Sequence, residues 1–494
     1  MKHLLVLNLL CLGFFLSSCA QPEGRSRESF NRQWKFFLGP TEKAETPGFD
    51  DSGWRELNLP HDWSIEGKFD KDNPASPGSG ALPGGTGWYR KTFVLPASTK
   101  GRKVFIDFDG VYCNSEVWIN GHYLGIRPNG YISYRYELTP FLRSSGEKNV
   151  IAVKVDNSRQ PNSRWYSGSG IYRNVWLITT GEVYVDLWGT FVTTPDVSKE
   201  SATVSVTNTI RNSRNEKASV EVRTLLYDAS SNLVASSSSA LSIEASATGE
   251  TSQQLKVTSP RLWSVKDPYL YRAVVRVFQK NKPIDEYSTT VGIRSFSFDA
   301  EKGFSLNGEP MKIYGVCNHH DLGALGAAVN IRAMERQLEI LKEMGCNGIR
   351  TSHNPPAPEL LDLCDRMGFI VVDEAFDMWK KPKNKYDYHL NWDEWHERDL
   401  RDQVLRDRSH PSVVVWSIGN EVPEQWFAPL GNTGKTDSSG WVIARELATI
   451  VRSVDATRPL TFGADQVQGE SNAVIQSGAI DIIGYNYRHP FWKD

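Results

Sequence analysis

Val413-Val414-Val415-Trp416-Ser417-Ile418-Gly419-Asn420-Glu421 is the stretch that decides the fold of this chain. Its apolar start is typical of a buried parallel strand, and that strand ends in a carboxylate. In a (β/α)₈ barrel, the carboxyl ends of the strands carry the active site. A glutamate there can protonate a glycosidic oxygen while the preceding amide holds a sugar hydroxyl, and this chemistry needs a second carboxylate across the sugar.

Around this stretch, from residue 296 to residue 494, strand-like and helix-like segments alternate, as in an α/β domain. Apolar periodicity predicts helices at 331–344, 358–367 and 441–454. The predicted strands are 312–316, 348–351, 370–373, 413–417, 460–463 and 480–485. Because a closed barrel has eight strands, we expect an incomplete TIM (β/α)₈ barrel that stops two β/α units short.

Two all-β regions precede the barrel. Residues 28–180 contain short alternating runs broken by turn residues, and Asn120-Gly121 is a strong signal for a type I′ hairpin. This pattern predicts a jelly-roll-like β-sandwich. Residues 181–295 also alternate, with turns rich in serine and asparagine, which predicts an immunoglobulin-like β-sandwich of about 100 residues.

The first residues are typical of an export signal. The short basic start Met1-Lys2-His3 precedes an apolar run, Leu4 to Leu16, that is too short for a membrane anchor. Leu16-Ser17-Ser18-Cys19 then resembles the bacterial lipobox, which implies a signal peptide over 1–19 and a lipid on Cys19. An ordinary secretory signal is the alternative. We therefore expect a lipoprotein of the cell envelope, in the periplasm or on the outer membrane, that touches the membrane only through this anchor.

The overall charge of the chain is close to neutral, with a formal net charge of −2. Proteins that bind nucleic acid usually present a strongly basic face. The composition therefore argues against nucleic acid as a partner. It does not determine the oligomeric state.

Five short motifs, taken in order, resemble glycoside hydrolase family 2, and in particular its secreted bacterial β-galactosidases. The resemblance extends from about residue 30 to the end of the chain. The motifs are Leu59-Pro60-His61-Asp62-Trp63-Ser64, Gly87-Trp88-Tyr89-Arg90, Gly168-Ser169-Gly170-Ile171-Tyr172-Arg173, Arg350-Thr351-Ser352-His353-Asn354-Pro355 and Ser417-Ile418-Gly419-Asn420-Glu421.

The resemblance implies a retaining mechanism with two carboxylates. The acid/base of the family matches Glu421, and its sugar-binding neighbour matches Asn420. Histidines that bind sugar hydroxyls match His319 and His353, which follow the first two predicted barrel strands. Tyr487 matches a tyrosine that contacts the nucleophile.

The resemblance also implies that a loop of the first domain takes part in substrate binding. In the family, the loop before Gly168-Ser169-Gly170 reaches towards the sugar pocket, and here it carries Arg164 and Trp165. Packing between domains is the alternative role for these two side chains.

The second carboxylate remains unassigned. The resemblance places the nucleophile after the next barrel strand, beyond Asp494, so we expect this chain to be a fragment that is inactive or nearly inactive by itself. Asp373, Glu374 and Asp465 are the internal carboxylates that lie near strand ends, and we assign the nucleophile to none of them. Relatives often bind Mg²⁺ near the third strand. Here Met378 and its neighbours are poor Mg²⁺ ligands, so we expect neither a metal nor a cofactor.

These observations favour an exo-acting β-galactosidase that removes terminal non-reducing β-D-galactose from oligosaccharides or glycans. A β-glucuronidase or β-mannosidase of the same family is the first alternative. A non-catalytic carbohydrate-binding lipoprotein is the second, since two β-sandwiches would still bind glycan.

Overall fold

The structure is a computed structural model that describes residues 24–429, 436–465 and 471–488. Cys19, the predicted lipidation site, lies outside the described residues. In the described part of the chain, none of the helices has the length and apolar character needed to cross a membrane.

The first domain is an antiparallel β-sandwich, as predicted. One sheet has the order β1-β10-β5-β8, the other has the order β3-β2-β4-β9-β6-β7, and a buried apolar core that includes Trp34, Phe108 and Ile151 lies between them. The strands are β1 (Ser26–Ser29), β2 (Trp34–Leu38), β3 (Arg55–Leu57), β4 (Gly85–Val94), β5 (Lys103–Phe108), β6 (Ser115–Ile119), β7 (His122–Arg127), β8 (Tyr134–Glu137), β9 (Lys148–Asn157) and β10 (Val175–Thr180).

The hairpin predicted at Asn120-Gly121 is confirmed. Ile119 pairs with His122, so two residues alone form the turn. Both turn residues have positive φ, 52° at Asn120 and 85° at Gly121, as a type I′ turn requires. Asparagine and glycine tolerate this conformation better than other residues, which is why the motif was informative.

The second domain is a smaller antiparallel sandwich, again as predicted. A three-stranded sheet, β11-β12-β15, packs on a four-stranded sheet, β14-β13-β16-β17. The strands are β11 (Val183–Val197), β12 (Ser201–Asn212), β13 (Ala218–Tyr227), β14 (Leu233–Ile243), β15 (Thr248–Thr258), β16 (Tyr271–Gln279) and β17 (Lys282–Val291).

The third domain contains a parallel sheet of six strands, as the sequence predicted. A small antiparallel sheet, β18 (Phe296–Asp299), β19 (Gly303–Leu306) and β20 (Glu309–Pro310), leads into it. The six strands lie side by side in chain order and curl into an incomplete barrel. They are β21 (Gly315–Asn318), β22 (Gly348–Thr351), β23 (Ile370–Glu374), β24 (Val413–Asn420), β27 (Leu460–Ala464) and β28 (Ile482–Tyr485), with the short hairpin β25 (Ala428–Pro429) and β26 (Thr436–Asp437) after β24.

Helices join successive strands and cover the outer face of the sheet. They are α1 (Ile331–Glu343), α2 (Pro358–Met367), α3 (Trp392–Asp407), α4 (Ser439–Val454) and α5 (Ala473–Gln476). The sequence predicted α1, α2 and α4 but neither α3 nor the short α5. The buried face of α3 carries Asp399, Gln403 and Asp407 among its apolar residues, so apolar periodicity could not reveal it.

The first domain packs against the barrel through buried arginines. Arg173 donates hydrogen bonds of 2.9 Å to the carbonyl oxygens of both Pro355 and Pro356, which follow β22. Arg127 donates a hydrogen bond of 2.6 Å to Asp402 of α3. These contacts hold the loop that carries Arg164 and Trp165 over the carboxyl ends of the barrel strands.

Candidate active site

Glu421 lies immediately after β24 in a left-handed conformation, with a φ of 45°. Its N–H donates a 2.7 Å hydrogen bond to the carbonyl oxygen of Gly463 on the neighbouring strand. Its Oε1 accepts a 2.8 Å hydrogen bond from Asn486 Nδ2, and Arg164 Nη1 lies 3.8 Å from Oε2. The side chain is 12% exposed, so the carboxylate is held but remains accessible to a substrate.

Asn420 is buried beside Glu421 at the centre of a polar network. Its Oδ1 accepts hydrogen bonds from Arg350 at 2.8 Å and from Asn486 at 2.9 Å. Its Nδ2 donates to Asp377 over 2.9 Å. Within the described residues, every polar group of this amide therefore has a partner, and the amide is fixed in one orientation.

Glu374, the last residue of β23, is a second buried carboxylate in this network. Arg350 and Ser417 donate to its Oε2, at 2.8 Å and 2.6 Å, and His353 Nδ1 lies 2.6 Å from its Oε1. Burial alone would raise the pKa of Glu374, but Arg350, His353 and Ser417 outweigh burial and lower it. Glu374 is therefore ionised and orients its neighbours.

Asp373 does not belong to the site, although it precedes Glu374. Successive residues of a strand face opposite sides, and Asp373 faces α3, where Gln403 donates to it over 2.8 Å. Burial and the nearby charge of Asp407 raise its pKa strongly. This carboxyl group has a structural role between the sheet and α3.

Three charged groups from two domains meet next to Glu421. Arg164, on the loop of the first domain, donates to both oxygens of Asp377, at 2.9 Å and 2.6 Å. Lys383 Nζ donates to Asp377 over 2.9 Å and to the backbone oxygen of Asn420 over 2.6 Å. Although burial opposes it, these two cations lower the pKa of Asp377 to about 2.

Three rings form an aromatic wall beside the carboxylates. The ring of Trp165 lies 5.0 Å from that of His319 and 5.7 Å from that of His353, and the two imidazoles are 5.5 Å apart. Burial and the neighbouring His353 lower the pKa of His319, so it is neutral near pH 7. His320 turns away, as expected for adjacent residues, and packs against Tyr131 and Tyr172.

Tyr487 stands at the edge of the site and is 75% exposed. The nearby charge of the Glu421 carboxylate raises the pKa of its phenol. The structure therefore brings together all seven residues that the sequence suggested: Arg164, Trp165, His319, His353, Asn420, Glu421 and Tyr487.

Comparison with known proteins identifies the family. Three domain models of glycosyl hydrolases family 2 match consecutive parts of the chain: the sugar-binding domain at residues 28–181, the central family 2 domain at 183–294 and the TIM-barrel domain at 300–486. The chain belongs to glycoside hydrolase family 2.

The chain is similar to β-galactosidase BoGH2A of Bacteroides ovatus, with 52% identity over 96% of this chain. It spans 58% of the length of that relative. A putative β-glucuronidase of Formosa agariphila is 39% identical over 89% of this chain and 40% of its own length. A family 2 protein of Bacteroides cellulosilyticus has a similar structure, with a TM-score of 0.88, 40% identity, and coverage of 94% of this chain and 59% of that one.

Four residues of this family 2 site escaped the sequence analysis: Arg350, Asp377, Lys383 and Asn486. Arg350 stands within a motif that carried the resemblance, and Asn486 directly precedes Tyr487. Both residues could therefore have been predicted from the motif residues next to them. The pairing of Asp377 with Arg164 is hard to find because the two residues are 213 positions apart, and Lys383 joins them only through Asp377. Only the packed domains bring these charges together.

Metal-type ligands gather elsewhere on the described part of the molecule. Asp362, Asp365 and His410 form the one group of three potential ligands there, on the outside of the barrel near α2. His410 and Asp365 already form an ion pair at 2.6 Å. Met378 is buried, and the Lys383 ammonium contacts both Asp377 and the backbone of Asn420.

Proposed function

We propose that this chain provides the acid/base and sugar-binding part of a retaining glycosidase that removes terminal β-D-galactose from β-galactosides. The observation that carries the proposal is the position of Glu421. It lies at the end of a barrel strand, one of its oxygens is fixed by Asn486, and its other oxygen lies 3.8 Å from Arg164 Nη1.

In the proposed mechanism, protonated Glu421 gives its proton to the glycosidic oxygen as the bond from that oxygen to the anomeric carbon breaks. A second carboxylate, which we assign to no residue of this chain, bonds to the anomeric carbon at the same time. Glu421, now ionised, then takes a proton from the water that releases the sugar. Asn420, His319 and His353 would hold the sugar hydroxyls, and Trp165 would cover an apolar face of the ring.

A neutral sugar suits the charges of the site better than an acidic one. A glucuronide carboxylate would need a cation of its own. Arg350 is paired with Glu374, and both Arg164 and Lys383 are paired with Asp377. Each cation of the described site therefore already contacts a carboxylate of the protein. The similarity to a β-galactosidase at 52% identity supports the same choice.

The substrate class is tested, with the second carboxylate supplied on an extended or added chain, by the relative turnover of p-nitrophenyl β-D-galactoside, β-D-glucuronide and β-D-mannoside. We expect the galactoside to be hydrolysed fastest and Glu421→Gln, but not the exposed Glu397→Gln, to reduce the rate. Faster turnover of the glucuronide or mannoside would contradict the choice of sugar. Saturable binding of galactosides without turnover would favour a non-catalytic carbohydrate-binding protein.

We further propose that the protein is a lipoprotein of the cell envelope, anchored through Cys19. The basic start, the short apolar run and Leu16-Ser17-Ser18-Cys19 support this proposal. An extracytoplasmic address would suit an enzyme whose substrates are oligosaccharides taken from the surroundings.

A further inference from the structure

A cavity of about 270 Å³ lies between the second domain and the barrel. Its walls come from residues 192–195 of β11, from the segment 291–296 that joins β17 to β18, and from residues that precede β24 and β27. Because Glu421 follows β24, the cavity lies at the opposite end of that strand from the proposed acid. It is partly open to solvent, and since about 10–15 Å³ is enough for one water, it has room for a ligand of several atoms.

The lining of this cavity, within the described residues, contains two arginines and no carboxylate. Arg458 forms an ion pair with Asp455 at 2.6 Å, whereas no described carboxylate forms an ion pair with Arg294. The carboxylates whose charges act on Arg294, Asp365 and Asp455, are already paired with His410 and Arg458. The wall of the cavity therefore carries an excess of positive charge.

One nitrogen of the Arg294 guanidinium is open to the cavity. The residue is 8% exposed, and its Nε and Nη2 donate to the carbonyl oxygens of Pro411 and Val413, at 2.5 Å and 3.0 Å. Its Nη1 donates to no described residue and is not fully buried, and the cavity is the space that Arg294 lines. This nitrogen therefore offers two N–H donors to a ligand.

Two hydroxyl groups that line the cavity are also free to donate. Thr193 and Ser295 are partly exposed, and neither hydroxyl has a hydrogen-bond partner among the described residues. Thr194 differs, because its Oγ1 donates to the carbonyl oxygen of Arg294 over 2.5 Å and ties β11 to the Arg294 segment. The free donors thus come both from the second domain and from the segment that leads into the barrel.

The protein by itself leaves the charge of Arg294 poorly compensated. Burial and the nearby guanidinium of Arg458 lower the pKa of Arg294 to about 9. Buried charges in proteins are normally paired with an opposite charge, because an unpaired one is costly to desolvate. A guanidinium is well suited to groups that present several oxygens, such as carboxylates and phosphates.

We propose that this cavity binds an oxyanion, the sulfate, phosphate or carboxylate group of a small molecule, through Arg294 Nη1, Ser295 Oγ and Thr193 Oγ1. The bound group connects the second domain to the barrel. The free ion and a sugar that carries a charged group are the two sources of this chemistry. The inference goes beyond the proposed function and does not depend on it, since the cavity is remote from Glu421.

The test measures the binding of sulfate, galactose 6-sulfate and neutral galactose to the full chain by titration calorimetry, in chloride at constant ionic strength. We expect saturable binding of sulfate, weakened at least tenfold by Arg294→Gln and about three- to tenfold by Ser295→Ala or Thr193→Val. Arg272→Gln and Ser297→Ala, which alter exposed residues outside the cavity, are the matched controls and should leave the affinity for sulfate unchanged. Galactose should show no affinity that depends on Arg294. If galactose 6-sulfate binds more tightly than sulfate through Arg294, the ligand is a charged sugar, and otherwise it is the free ion.

Hydrogen exchange locates the bound ion. Sulfate should protect the peptides that contain residues 192–196 and 291–296, which belong to the two sides of the cavity. Because Arg294 also binds two backbone oxygens, the hydroxyl variants, which leave those contacts intact, decide the result if Arg294→Gln fails to fold. The proposal would be overturned by the absence of saturable sulfate binding, by unchanged affinity in Ser295→Ala and Thr193→Val, or by protection confined to other peptides.

Discussion

Asn486, which directly follows β28, fixes the Glu421 carboxylate by a hydrogen bond. Its Nδ2 donates to Glu421 Oε1 over 2.8 Å and to Asn420 Oδ1 over 2.9 Å, while its Oδ1 accepts from Arg350 over 3.1 Å. One amide thereby connects β28 to β24 and β22. In the proposed mechanism, Oε2, which lies 3.8 Å from Arg164 Nη1, is the oxygen of Glu421 that would carry the catalytic proton.

Replacing this amide should impair the chemical step more than substrate binding. In Asn486→Leu, Glu421 loses a charge-assisted hydrogen bond of the kind that contributes about 1.5–3 kcal/mol, so we expect kcat to fall about 10- to 100-fold with little change in KM. Steady-state kinetics on an aryl β-galactoside, with the second carboxylate supplied on an extended or added chain, measures this split. Asn232→Leu, on an exposed loop of the second domain, is the control. A rise in KM at constant kcat would show that Asn486 serves binding instead.

Asp377 should stabilise the protein in a way that depends on pH. Its pKa is about 2 in the folded protein, below its ordinary value, so its contribution is fully present above about pH 4 and is lost as the pH falls towards 2. Asp377→Asn should lower the free energy of unfolding by about 2 kcal/mol at pH 6. The difference from wild type should narrow between pH 4 and pH 2 in denaturation experiments. A difference that stays constant with pH, or an equal effect in the exposed Asp196→Asn, would contradict this role.

His410 should show the opposite dependence on pH. Burial disfavours its charged form, but Asp365 at 2.6 Å outweighs burial and raises the pKa to about 9. The stabilisation is therefore complete below about pH 6.5 and is lost as the pH rises through 9. We expect His410→Gln to cost about 3 kcal/mol at pH 6 and much less at pH 10. The exposed His122→Gln should have no such effect, and a loss that grows with pH would refute the assignment.

The proposed location in the cell envelope depends on one side chain, the thiol of Cys19. Cys19→Ser should move the protein from the membrane fraction to the soluble fraction, because the lipid would have no attachment point. Fractionation of cells, with metabolic labelling by a fatty acid, measures both effects. Substitution of Cys113, which is buried in the first domain, should leave the fractionation unchanged. Membrane association that survives Cys19→Ser would refute the lipobox interpretation.

The sequence predicted the sheet better than it predicted the site around the acid. Each barrel strand is a short apolar run with clear ends, so all six were recognisable, and their register then placed His319, His353 and Glu421 at one edge. The helix α3 was missed because it buries polar residues. Arg164 was predicted as a candidate, but its pairing with Asp377 was not, because the two residues are separated by 213 positions and meet only when two domains pack. Apolar periodicity in the sequence indicates which face of a helix or strand is buried, whereas the pairing of charges depends on the assembled tertiary structure.

The central claim is that Glu421 is the acid of a retaining galactosidase, and the dependence of Glu421→Gln on the leaving group tests it most directly. With the second carboxylate supplied on an extended or added chain, the rate of the first step is measured for galactosides with good leaving groups, such as dinitrophenol, and with poor ones, such as an alkyl alcohol or a sugar. The account predicts a loss of about 10²- to 10⁴-fold for poor leaving groups and little loss for activated ones, since these depart without a proton. Equal losses on both kinds of substrate would contradict the assignment of Glu421 as the acid.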